Sequence, residues 1–198
     1  MSTVKSQDSF ESAVPRILIL NHHGPSVPSL IERVRESGAS FSVLEHGEVR
    51  AGSARGFDGI IASGGSLPAR SYRDDLQRYF EFLDELERPF LGICLGMKIL
   101  GSYHEARMRR ILPVEGAHKI RFFREYLLAP GVAECSVYGS HRYELIPPLP
   151  PELENYASDG SPIQAVKVVG RERYALQFHP ELSEVPARSI VANFVSRC

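Results

Sequence analysis

Arg88-Pro89-Phe90-Leu91-Gly92-Ile93-Cys94-Leu95-Gly96-Met97-Lys98 places a cysteine between two glycines, where an apolar strand gives way to a helical pattern. This is the G-x-Nuc-x-G layout of a nucleophile elbow, with Cys in the position that α/β-hydrolases give to Ser. The turn is too tight for a Cβ on either side, and one of its residues must hold a strained backbone. Such a turn lifts its central side chain off the sheet edge and sets the sulfur at a helix N-terminus, which favours thiolate. Read alone, the stretch also fits a buried cysteine in a strand-to-helix turn.

Working upstream, Arg16 to Leu20 is a short apolar run suited to a strand buried on both faces. The polar turn Asn21 to Ser26 ends it. A helix follows from about Pro28, with Leu30, Ile31 and Val34 on one face and Gly38 as its stop. Phe41 to Leu44 reads as a second strand, and Phe57 to Ala62, after a polar loop, as a third that runs out into Ser63-Gly64-Gly65-Ser66. A helix over 74–87 stripes Leu76, Tyr79, Phe80, Leu83 and Leu86 along one face. Alternating strands and helices predict a parallel sheet.

Downstream the pattern changes. Ile111 to Gly116 reads as a loop. Lys119–Phe123, Glu134–Tyr138, Asn155–Ser158, Ile163–Val169 and Tyr174–Phe178 read as short strands with turns between them, and Val185 to Arg197 as a closing helix. Strands without intervening helices imply antiparallel or mixed pairing. The fold expected is α/β and doubly wound, with a mostly parallel central sheet, helices on both faces and an antiparallel elaboration in the second half. It occupies a single domain over 15–198, behind a polar, mobile lead-in over 1–14.

With 23 basic and 24 acidic residues among 198, no global field favours nucleic acid or an acidic membrane. The basic runs Arg107 to Arg110 and Arg70 to Arg73 read as solvated loops or partner contacts. Three widely spaced cysteines make neither a disulfide framework nor a zinc pattern and suit a reducing cytosol. No signal core or spanning run is visible, so a soluble cytoplasmic protein without metal or cofactor is expected.

A nucleophilic cysteine needs a base. Of the seven histidines, His22 and His23 could pair on a metal, but adjacent side chains diverge and a plain polar loop fits better. His179, in Leu176-Gln177-Phe178-His179-Pro180-Glu181, stands where an apolar strand ends, at the same sheet edge as the elbow. Glu181 lies two residues on and can reach the far nitrogen of the ring, which gives nucleophile, base and orienting carboxylate. The N–H of Leu95 and the backbone at Gly65 are the natural oxyanion donors. Cys135 and Cys198 have no such setting and read as inert.

Together, Ser63 to Ser66, Phe90 to Lys98 and Gln177 to Glu181, in this order along the chain, resemble the class I glutamine amidotransferases, and the likeness runs over most of the chain. Val137 to Glu144, before a Pro-Pro-Leu-Pro turn, is similar to a Ser-His segment of the amidotransferase part of GMP synthetase. The resemblance implies that Cys94 forms a glutamyl thioester, with glutamate and ammonia as products. It also implies a substrate-binding set of Gly64, Lys98, His141, Arg142 and Tyr143. Where most members carry Gln four residues after the nucleophile, this chain has Lys98, which could bind an α-carboxylate or select another γ-glutamyl amide. Ser66 replaces the usual proline, and Arg142 and Tyr143 replace a small residue and an acid. Once the amidotransferase fold is accounted for, no residues remain for a synthetase domain, so a separate ammonia-accepting synthetase subunit is the expected partner. A stand-alone γ-glutamyl hydrolase or amidase on the same triad, or a non-catalytic regulatory homologue, are the rival readings.

Overall fold

The computed structural model describes residues 14–66, 72–160 and 162–198. The first half alternates as the sequence predicts: β1 (Arg16–His22), α1 (Val27–Glu36), β2 (Ser40–Glu45), β3 (Gly59–Gly65), α2 (Tyr72–Asp84), β4 (Phe90–Ile93) and α3 (Leu95–Tyr103). Five strands follow, β5 (Met108–Phe122), β6 (Glu134–Leu145), β7 (Leu153–Ser158), β8 (Ile163–Val168) and β9 (Arg173–Leu176), and then α4 (Ser189–Val195). All nine join one sheet in the order β2-β1-β3-β4-β9-β8-β7-β5-β6.

The expectation of a mostly parallel sheet holds for half of it. The pairings β2–β1, β1–β3, β3–β4 and β4–β9 are parallel. Those of β9–β8, β8–β7, β7–β5 and β5–β6 are antiparallel. Helices cover both faces, and the period-2 alternation of the central strands feeds a core on each side. Ile17, Ile19, Ile61, Leu91 and Leu176 pack with α1 and α4 through Leu30, Val34, Ile190, Val191 and Phe194. Leu18, Leu20, Ile60, Ala62 and Phe90 pack with α2 and α3 through Tyr79, Phe82, Leu83, Met97 and Leu100.

Several boundaries differ from expectation. Ile111 to Gly116 is not a loop but the middle of β5. Pro113 and Gly116 disguise it, yet Pro113 falls in the register shift between Arg110 and Val114, where a missing N–H costs no ladder bond. β5 pairs with β7 only at Arg121 and Phe122, so most of it is held by β6 alone. β6 in turn runs seven residues past Tyr138 and carries Ser140 to Tyr143 within a strand. α2 stops at Asp84, short of Glu87, where the buried Arg173 donates to the carbonyls of Leu83 and Leu86 and replaces the next helical turn. α4 begins at Ser189 rather than Val185. Tyr72 and Arg73 open α2; Arg70 and Ser71 of the expected contact run, like the lead-in up to Ala13, lie outside the described residues. No described helix is long and apolar enough to cross a membrane.

His22 corrects the reading of His22-His23 as a polar loop. It is the last residue of β1 and is fully buried. The Ser63 carbonyl, 2.9 Å from Nδ1, can only accept, so Nδ1 carries the proton and Nε2 accepts from the Tyr79 hydroxyl at 2.7 Å. Protonation would put two donors face to face, and burial holds the ring down at about 3. Above pH 6.5 His22 is neutral in both states; below it the unfolded chain takes up a proton that the fold refuses, so stability falls with pH. At pH 5 the expected loss is on the order of 2 kcal/mol relative to pH 7, seen as a lower urea midpoint. A midpoint unchanged between those values would contradict the neutral, buried ring.

Candidate active site

β4 ends at Ile93 and α3 begins at Leu95, leaving Cys94 alone as the turn. Its backbone sits at φ 49°, ψ −93°, so the strained residue of the elbow is the cysteine itself. The flanking glycines are required by close approach. A Cβ on Gly92 would lie 2.6 Å from the Gly96 carbonyl carbon, and one on Gly96 would lie 2.5 Å from the Ala62 carbonyl oxygen. Both neighbours are backbone and cannot yield. Cys94 N–H donates to the Leu176 carbonyl at 2.7 Å, which ties the turn to the end of β9.

Beyond β9 the chain carries Gln177 and Phe178 inward and delivers His179, only 5% exposed, beside Cys94. Its N–H donates to the Tyr138 carbonyl of β6 at 2.8 Å, and its own carbonyl accepts from the Ser183 hydroxyl at 2.6 Å. Pro180 opens a single 3-10 turn, which swings Glu181 back so that Oε1 lies 2.8 Å from His179 Nδ1. Nδ1–H therefore donates to the carboxylate, and the other side of the ring shares a cleft with the Cys94 sulfur. The structure thus sets Cys94 and His179 on one cleft, with Glu181 hydrogen-bonded behind the ring.

Two residues that the sequence reading passed over complete it. Ser26, in the turn after β1, is buried with Oγ 3.3 Å from His179 Nδ1. Gln177 accepts from Lys98 Nζ at 3.1 Å through Oε1. Nothing in the local sequence marks Ser26; it is 153 residues from His179, and only the sheet order joins them. Gln177 stands inside the motif around His179, but its partner could not be read from it.

The electrostatics follow from burial and two cations. Burial opposes the Cys94 thiolate, but the Lys98 ammonium and the His179 hydrogen bond outweigh it and hold the thiol below its ordinary value. Burial likewise works against charge on His179, and the Cys94 sulfur and the Glu181 carboxylate that accepts from Nδ1–H overcome it, raising the ring to about 10. Both shifts favour thiolate on Cys94 and imidazolium on His179. Cys135 and Cys198 are pushed the other way by burial, to about 11 and about 12.

The cysteine stands between two clefts. One, of about 620 Å³, is lined by Leu95, Lys98, Arg110, His141, Arg142 and Tyr143. The other, of about 400 Å³, lies on the His179 side with Ser26, Glu115 and Tyr138. Gly65, Ser66, Cys94 and Ser140 border both. Of the expected substrate set, Lys98, His141, Arg142 and Tyr143 thus share the larger cleft, while Gly64 is absent from either lining and packs behind His179. Gly64 and Gly65 belong to β3 itself rather than to a loop after it. Gly65 adopts φ +145°, a conformation that L side chains rarely take. Leu95 is the first residue of α3, so its N–H has no intrahelical acceptor, and the residue lines the larger cleft. Of the Arg107 to Arg110 run, Arg109 pairs with Glu144 at 2.6 Å and Arg107 donates to the Pro147 carbonyl at 2.8 Å. Among the described residues no group of three or more His, Cys, Asp or Glu could hold a metal ion.

Comparison with known proteins identifies the family. The family profile of class I glutamine amidotransferases matches residues 18–198. A GMP synthase [glutamine-hydrolyzing] from Coxiella burnetii (strain Dugway 5J108-111) is 31% identical over 194 residues, covering 91% of this chain and 36% of that protein. The enzyme of the same name from Aquifex aeolicus (strain VF5) is 30% identical over 185 residues, covering 90% and 36%. The chain therefore spans little more than a third of these relatives. Among solved structures, a candidate GMP synthase subunit from Thermoplasma acidophilum superposes with a TM-score of 0.85 at 25% identity, over 93% of this chain and 94% of that one. A glutamine amidotransferase from Thermotoga maritima shares the fold, with a TM-score of 0.69 at 23% identity, over 88% and 78%. With its sheet, its elbow and a profile match that reaches the last residue, the chain belongs to the class I glutamine amidotransferase family.

Proposed function

We propose that the chain hydrolyses glutamine to glutamate and ammonia at Cys94 and hands the ammonia to a separate synthetase subunit. The observation that carries this reading is the Cys94–His179–Glu181 chain set at an elbow between two clefts. Glutamine enters the larger cleft with its carboxylate toward the exposed guanidinium groups of Arg110 and Arg142. The thiolate attacks the γ-carboxamide carbon, forming the C–S bond, and the carbonyl electron pair moves to oxygen, where the N–H groups of Gly65 and Leu95 receive it. As the oxyanion collapses the C–N bond breaks, and the His179 imidazolium gives its proton to the departing nitrogen, so ammonia leaves as a neutral molecule. His179, now neutral, takes a proton from water as the oxygen attacks the thioester, and the C–S bond breaks to return thiolate and glutamate. Glu181 keeps the ring in the tautomer that faces the sulfur throughout.

The partner proposal draws on the relatives. The curated ones are GMP synthases of which this chain matches about a third, and the Thermoplasma neighbour of equal extent is described as one subunit of such an enzyme. A GMP-synthetase-like protein is accordingly the first acceptor to try. The test measures glutamate release from glutamine by the purified chain, alone and with such a synthetase. Release stimulated by the partner, and absent in Cys94→Ala, is expected. Release from other γ-glutamyl amides but not from glutamine, with or without partner, would replace this reading with the amidase one.

A further inference from the structure

The ammonium of Lys98 is the unexplained charge in the site. It sits one helical turn beyond the nucleophile, only 9% exposed, on the inner face of α3. Its Nζ lies 3.1 Å from the Cys94 carbonyl oxygen, 3.1 Å from Gln177 Oε1 and 3.6 Å from Cys94 Sγ. An ammonium has three N–H donors and no acceptor. All three are thus directed at the protein, and none is left for a substrate carboxylate, one of the roles expected of Lys98 from the sequence.

We propose that Lys98 is a second activator of Cys94: clamped by Gln177 and the Cys94 carbonyl, its ammonium serves as a fixed counter-ion that keeps the sulfur a thiolate independently of His179. The clamp is what distinguishes this from a chance neighbour. A lysine side chain is long and flexible, and two oxygen acceptors at hydrogen-bond distance hold the charge where the sulfur needs it. Burial strengthens the attraction, since little solvent screens a pair 3.6 Å apart. A glutamine at this position would bring no charge and leave His179 as the sole cation beside the sulfur.

The other charged and titratable groups around the pair are consistent with this division. His179 and Glu181 approach from the segment after β9, and Glu181 compensates His179 rather than Lys98. Burial draws Lys98 down from the ordinary lysine value, while the Cys94 sulfur and, from β6, Glu144 favour its charge. Glu144 is itself paired with Arg109 of β5, and His141 is held neutral by burial and by Lys98. Arg110 and Glu115 of β5 line the two clefts, and Glu115 acts on His179 rather than Lys98. Among these groups Lys98 is the one cation besides His179 in contact with the sulfur.

The chemical consequence is a division of labour. If the only cation were His179, each proton it gave to departing ammonia would remove the charge that makes the sulfur a good leaving group in the second step. With Lys98 in place, the thiolate expelled from the thioester finds a positive partner already present, while His179 is neutral and occupied with water. The proton count is unchanged, because Lys98 exchanges none.

This deepens the proposed role of Cys94 but needs no glutamine to test it. The rate of Cys94 alkylation by iodoacetamide is measured against pH in a background lacking Cys135 and Cys198, for the otherwise unchanged chain, Lys98→Met, Lys98→Arg and His179→Asn. The rate follows the thiolate fraction. The chain with Lys98 and His179 should show an inflection well below the ordinary thiol value. Lys98→Met should raise it by at least one unit, so that alkylation at pH 6 slows about tenfold while the rate at pH 9 changes little. Lys98→Arg should recover most of the shift, and His179→Asn should retain a lowered inflection. An inflection equal in Lys98→Met and the parent, with both folded by circular dichroism, overturns the proposal. So does a fully ordinary inflection in His179→Asn, an arm that keeps Lys98 and decides the matter if Lys98→Met fails to fold. A low inflection in a chain that hydrolyses no glutamine, alone or with a synthetase partner, would leave the counter-ion role standing and refute the glutaminase reading instead.

Discussion

Cys94→Ala is expected to lower glutamine turnover by about 10³-fold or more and to leave the fold in place. The loss is large because the three residues act as a unit: without the sulfur, no thioester forms, and His179 and Glu181 have only a distant, unpositioned water to activate. The fold should survive because alanine keeps the Cβ and meets the same φ of 49° that cysteine already tolerates, so no new backbone strain is added. Only one small buried atom is lost. The check is glutamate release together with covalent labelling by an electrophilic glutamine analogue, followed by mass spectrometry. Turnover reduced only a few-fold, or label recovered on Cys135 or Cys198, would remove Cys94 from its role.

Gly64→Ala should be nearly as damaging, though Gly64 borders neither cleft. A Cβ there would fall 2.4 Å from His179 Cε1 and about equally far, 3.3 Å, from both ring nitrogens. The imidazole cannot step aside at no cost. Nδ1 is held by Glu181 and the backbone is pinned by Tyr138 and Ser183, so the added methyl must tilt the ring off the sulfur. A misplacement of about 1 Å in a reacting group is worth about 10²-fold in rate. Activity should therefore fall by about that factor. Circular dichroism and the alkylation rate of Cys94 would separate the causes: a folded chain whose thiol is less reactive near neutral pH is expected. Full activity would mean that the ring has room which the packing denies it.

Much of this site was legible in the sequence because its chemistry is local. The elbow needs two glycines around its nucleophile, and the carboxylate that orients His179 lies two residues from it, past a proline that forces the return. The parallel half of the sheet was legible for a similar reason, since each buried strand is a continuous apolar run next to an amphipathic helix. The antiparallel half was harder. β5 is paired for most of its length on one edge only; its burial alternates from Val114 to Phe122, but the inner side of that stretch is only half-buried as far as His118 and holds Gly116 and His118, and Pro113 and Gly116 imitate a loop. Lys98 shows the other kind of limit. Its identity was evident, but whether it faced substrate or sulfur depended on Gln177, 79 residues away. Ser26 and the neutral His22 were invisible for the same reason, as their partners come from other strands.

The position of β6 has a consequence for how the protein reaches its working form. Its Ser140 carbonyl lies 3.6 Å from the Cys94 sulfur and its Tyr138 carbonyl holds the His179 backbone, so the far edge of the sheet folds back as a wall of the nucleophile's chamber. The chamber is therefore closed by contacts among segments near residues 26, 94, 140 and 179, separated by up to 153 positions along the chain. Closing loops of that length is the slow part of acquiring a fold. A refolding chain can regain helices and most of its parallel strands while the chamber is still open to water. Catalytic competence, rather than secondary structure, should be the last property to return, and it reports on the sheet as a whole.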